Sequence, residues 1–79
     1  MKVWVLDIYA KETVIITVHR SKEGALNKLY EYVKECWPDR HFEQPVPEDE
    51  DEAIRQYFKK MSDVYSLEFY YLTHRELLD

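Results

Sequence analysis

SKEGALNKLYEYVKECW, residues 21–37, is the longest stretch of this chain in which apolar residues recur with helical spacing. Ala25, Leu26, Leu29, Tyr30, Val33, Cys36 and Trp37 step forward by three or four residues and form one stripe. Lys22, Glu23, Asn27, Lys28, Glu31, Lys34 and Glu35 fall on the other side, so the segment predicts an amphipathic helix. Ser21 is suited to cap its start, because its hydroxyl can accept from an N–H one turn in, and Glu23 adds negative charge at the positive end of the dipole. Pro38 ends it by restricting Trp37 and lacking an N–H. Gly24, the chain's one glycine, costs roughly 1 kcal/mol against alanine in a helix. Close approach of another backbone would explain it.

Upstream, residues 2–9 (KVWVLDIY) are β-branched and aromatic with no helical period, which predicts a strand. Both its faces are apolar: Trp4, Leu6 and Ile8 on one, Val3, Val5 and Tyr9 with Asp7 on the other. Such a strand belongs in the middle of a sheet. After Ala10-Lys11-Glu12, residues 13–19 (TVIITVH) resume β character and predict a hairpin. Val14, Ile16 and Val18 are the expected core-facing set of this second strand.

Downstream, the three prolines and the polar residues of 38–47 predict a surface loop, with Phe42 pinning it. A second helix is expected from Glu48, with Ala53, Ile54, Tyr57, Phe58 and Met61 on its apolar stripe. Pro47 stands at its start. Its first turn holds five consecutive acids, Glu48, Asp49, Glu50, Asp51 and Glu52, which complement the positive helix end as Lys59 and Lys60 complement the other. Asp51 and Arg55 are spaced as an i,i+4 ion pair. The acids lack the alternation and central glycine of a calcium loop. Residues 64–72 predict the third strand, with Tyr65, Leu67, Phe69 and Tyr71 as its apolar set. Thr73 with Glu76 predicts a short C-terminal helical turn through a capping box.

Residues 1–79 therefore read as one α+β domain: a three-stranded, mainly antiparallel sheet with two helices packed on one face (β-β-α-α-β) and the first strand central. Trp4, Leu6, Ile8, Val14, Ile16, Val18, Leu67 and Phe69 are expected beneath the helices. Val3, Val5, Tyr9, Ile15 and Tyr70 would then lie on the opposite face, where a contiguous apolar patch marks an interface. A protein partner, in the first instance a second copy forming a homodimer, is the expected occupant.

Composition narrows the remaining possibilities. A chain of 79 residues buries a small share of its surface, and seven Tyr and two Trp supply large buried areas at low entropic cost. The net charge of −5, with scattered basic residues, argues against direct nucleic-acid binding. No apolar run reaches membrane-spanning length and the N-terminus has no signal-peptide pattern, so a cytoplasmic protein is expected. The one cysteine, Cys36, lies at a helix C-terminus, where thiolate is disfavoured. No metal-ligand spacing links it to His41, His19 or His74. One glycine excludes a glycine-rich phosphate loop. The expectation is a non-enzymatic protein without cofactor.

His19-x-Ser21, Ala25, Leu29, Tyr32-Val33 and Trp37, followed by Pro47-Glu48-Asp49, Ala53-Ile54, Tyr57-Phe58 and an aromatic strand, resemble a type of small bacterial or mobile-element protein. The resemblance covers most of the chain and implies the β-β-α-α-β order, with no activity or site. The alternative function is that of a phage-type acidic inhibitor. In it Glu48 to Glu52 would mimic nucleic acid and block a nucleic-acid-binding protein such as a CRISPR effector.

Overall fold

The computed structural model describes residues 2–10, 13–40, 42–62 and 68–76. Strand β1 (Lys2–Ala10) and strand β2 (Thr13–His19) precede helix α1 (Lys22–Cys36) and a 3-10 turn (Trp37–Arg40). Helix α2 (Glu50–Lys60) and strand β3 (Phe69–Glu76) follow. The sheet order is β2-β1-β3, antiparallel on both sides of β1. The α+β class, the two helices on one face and the central place of β1 are as the sequence predicts.

Each helix begins at the residue whose side chain can satisfy its first N–H groups. Gly24 N–H donates to Ser21 Oγ at 3.0 Å, and Asp51 N–H to Asp49 Oδ1 at 3.1 Å. The crowding at Gly24 comes from the cap itself, since a Cβ there would lie 3.2 Å from Ser21 Oγ. Helix α2 starts at Glu50 with Asp49 as its cap, two residues later than the acids alone suggest. Pro38 ends α1 by diverting the chain into the 3-10 turn. Phe42 pins the following loop by stacking on Trp37 at a centroid distance of 3.7 Å. Trp37 Nε1 donates to Gln44 O at 2.8 Å, and the Tyr30 hydroxyl donates to Pro47 O at 2.8 Å.

The core lies between the helices and one face of the sheet. Leu6 and Ile8 meet Leu29, Val33 and Trp37 from α1 and its end, and Ala53, Ile54, Tyr57, Phe58 and Met61 from α2 and its end. The α2 stripe is therefore buried as the spacing predicts, and the α1 stripe buries Ala25, Leu29, Val33 and Trp37 and half-buries Leu26, Tyr30 and Cys36.

The faces of the outer strands are reversed relative to expectation. Ala10 pairs with Thr13, Ile8 with Ile15 and Leu6 with Thr17, so even residues of β1 share a face with odd residues of β2. Ile15 packs against the core, whereas Val14, Ile16 and Val18 are 51%, 63% and 59% exposed. The two residues between Ala10 and Thr13 set this parity, and a one-residue change in register would invert it. In β3, Ile8 pairs with Tyr70 and Asp7 with Tyr71. Tyr70 thus turns inward onto Phe58, with ring centroids 4.8 Å apart, and Phe69 turns outward. The expected inward Leu67 lies outside the described residues.

The C-terminal helical turn expected from Thr73 is replaced, over Thr73–Glu76, by strand. The first half of β1 offers backbone donors and acceptors along that edge, and pairing Val5 with Thr73 and Lys2 with Glu76 satisfies them. A local capping signal yields to that ladder. Leu77 and Leu78 lie outside the described residues.

Candidate functional site

Among the described residues, the exposed large apolar side chains lie on the sheet face away from the helices. Val14, Ile16 and Val18 line it on β2, and Phe69 and Tyr71, 48% and 57% exposed, line it on β3. Between them run Val5, Asp7 and Tyr9 of β1, all half-buried. Tyr9 stacks on Phe69 at 4.9 Å and meets Tyr71 edge-on at 5.9 Å, which fixes the aromatic end of the face. The opposite end is closed within the chain, for Val3 is only 5% exposed.

Of the residues expected on this face, Val3, Val5 and Tyr9 lie there, while Ile15 and Tyr70 lie on the helix side. The strand parity brings Val14, Ile16, Val18, Phe69 and Tyr71 to it instead. The two-residue span between the hairpin pairs was the sequence signal that could have identified the β2 set.

The acidic run is a helix start. Asp49 caps α2 and Glu50, Asp51 and Glu52 occupy its first turn. Arg55 pairs with Glu52, one residue from the expected Asp51. Glu52 also accepts from Gln56 Nε2 at 2.7 Å. These bonds, that of Gln56 foremost, hold its carboxyl below the ordinary range.

A second polar feature is internal. Glu68, 2% exposed, accepts from the hydroxyl of Tyr57 at 2.8 Å and from that of Tyr32. Sequence spacing places neither Tyr32 nor Glu68 in the core, because the carboxylate and its donors are distant in the chain. Tyr32 also lines a shallow groove of about 150 Å³ with Ile8, Ile15, Lys28, Glu31 and Glu35, smaller than the roughly 300 Å³ at which small-molecule sites begin.

Burial first, then the bond to Glu68 and the nearness of Tyr57, push the Tyr32 phenol well above its usual 10.0. The folded chain favours the neutral phenol. Stability from this group is therefore complete below pH 10 and declines above it, where the unfolded chain loses this proton and the folded chain retains it. The slope is at most one proton, about 1.4 kcal/mol per pH unit, and solvent screening of a half-buried ring lowers it. Urea titrations between pH 9 and 11.5 should show this decline, and Tyr32→Phe should flatten it. An unchanged slope in that variant would assign the alkaline loss to other groups.

Cys36 is half-buried at the end of α1, and His41 lies outside the described residues. His74 stacks on Trp4 at 4.4 Å, and His19 Nε2 lies 2.7 Å from Thr17 Oγ1. Among the described residues no three His, Cys, Asp or Glu side chains converge as metal ligands. No helix among them is long and apolar enough to cross a membrane.

These elements define a small α+β domain with one sheet face covered by helices and the other, among the described residues, free of helices. Comparison with protein-family models, curated proteins and solved structures returns no match.

Proposed function

We propose that this domain acts by protein association without catalysis, and that the open sheet face binds a second copy of the chain. The supporting observation is the joint exposure of Val14, Ile16, Val18, Phe69 and Tyr71 on one face. Together these side chains present on the order of 500 Å² of apolar surface, as large as the largest patch on an ordinary monomer. That is below a standard interface of about 800 Å² per partner, so the dimer should be weak and concentration-dependent.

Light scattering across 10 μM to 1 mM should show the mass rise from one chain toward two, with the rise persisting at high salt because the contact is mainly apolar. Ile16→Glu places a carboxylate in the contact twice per dimer and should raise the dissociation constant by about 100-fold or more. It should leave the circular dichroism spectrum unchanged, since Ile16 is solvent-exposed in the monomer. A wild-type chain monomeric at 1 mM, or association indifferent to Ile16→Glu, would overturn the proposal.

A further inference from the structure

The outward positions of the three strands are Val3, Val5, Asp7 and Tyr9; Val14, Ile16 and Val18; and Phe69, Tyr71, Thr73 and Arg75. Two of them are charged, with opposite signs. Asp7 lies between Ile16 and Tyr71 in the register, a half-buried carboxylate in the middle of an apolar face. Among the described residues neither Asp7 nor Arg75 has a side-chain hydrogen bond or ion pair. They cannot neutralise each other within one chain, because Asp7 pairs with Tyr71 and Arg75 with Val3, four residues apart along the strand and hence about 13 Å.

Covering an unpaired carboxylate with apolar surface is costly, so whatever closes this face must bring a cation to Asp7. A second copy carries one. We infer that two copies pack sheet to sheet with their β1 strands antiparallel, the two-fold axis crossing β1 between Val5 and Asp7, so that Arg75 of each copy reaches Asp7 of the other. This rests on the self-association proposed above and specifies its register.

Two independent considerations select that register. A two-fold parallel to the strands along β1, or one crossing them at Asp7, stacks the two carboxylates on each other. The axis between Val5 and Asp7 instead lays Val5 of each copy on Asp7 of the other, while Val3, buried within its own chain, stays out of the contact. Each Arg75 then crosses the Phe69 ring of the opposite chain, an arrangement that suits a guanidinium. It lies about 8 Å in the sheet plane from the opposite Asp7, by strand rise and spacing, a distance its side chain can lean across. An isologous interface needs a self-complementary patch, which one acid and one base on either side of the axis provide.

Charge reversal tests this by sedimentation equilibrium. Asp7→Arg alone and Arg75→Asp alone should each weaken the homodimer at least tenfold, whereas an equimolar mixture of the two variants should form a heterodimer near wild-type affinity. Arg75→Lys keeps the charge and guards against a reversal that fails to fold; carbodiimide should couple its amine to Asp7 of the other copy in a dimer-sized product. A wild-type dimer sensitive to Ile16→Glu but indifferent to both reversals, or lacking that cross-link, would overturn the register and leave self-association standing. A wild-type monomer throughout would overturn both.

Discussion

Glu68→Ala should lower the unfolding free energy by about 2–4 kcal/mol, because it removes the acceptor shared by the buried Tyr57 hydroxyl and the half-buried Tyr32 hydroxyl. Tyr57 is fully buried and its hydroxyl donates to Glu68 at 2.8 Å; Tyr32 donates to the same oxygen. An orphaned buried donor costs about 1–3 kcal/mol, and bonds to a charged acceptor lie toward the upper end of that range. Glu68→Gln keeps an acceptor oxygen and should cost about 1 kcal/mol. The triple change Glu68→Leu, Tyr32→Phe and Tyr57→Phe removes the carboxylate together with these two donors and should recover part of the loss, since apolar replacement of a buried polar group is often tolerated when its partners go with it. Urea midpoints at pH 7 measure all three. A Glu68→Ala midpoint within 1 kcal/mol of wild type would mean that water or neighbouring groups satisfy the two tyrosines.

Leu29→Ala should cost about 3–4 kcal/mol and place the chain near its unfolding threshold. Leu29 is fully buried among Leu6, Ile8 and Val33, where lost transfer energy and residual cavity add. A domain of this length holds on the order of 4–12 kcal/mol in total, so the melting temperature should fall by about 15 °C or more. Ile16→Thr provides the contrast. Expectation placed Ile16 in the core, but its side chain is 63% exposed, and the monomer should lose less than about 0.5 kcal/mol. Equal losses at Leu29 and Ile16, read by thermal melts at low concentration, would contradict the assignment of the two faces.

The element order was legible because its signals are local. Ser21 and Asp49 cap where their side chains predict, Pro38 diverts α1, and the stripes through Leu29 and Tyr57 record a period set by helix geometry. Strand faces are less local. The valines and isoleucine at 14, 16 and 18 form the most apolar set of β2, and an apolarity argument sends them inward. The Ala10–Thr13 pairing sends them out. Hydrophobic content therefore located the strand but not its face, and with the face went half of the candidate interface. The Glu68 cluster was hidden for a different reason. A buried carboxylate looks like any surface acid until the fold brings Tyr32 and Tyr57 to it.

The strand order β2-β1-β3 also bears on how the domain is made. The β1–β2 hairpin joins neighbours in sequence and can form as soon as it leaves the ribosome, but β1 receives its other neighbour from residues 69–76. Until β3 emerges, the central strand presents a free row of backbone donors and acceptors, the geometry that recruits stray strands. A chain that stops at Lys60 should therefore misassemble more readily than one that extends through Glu76.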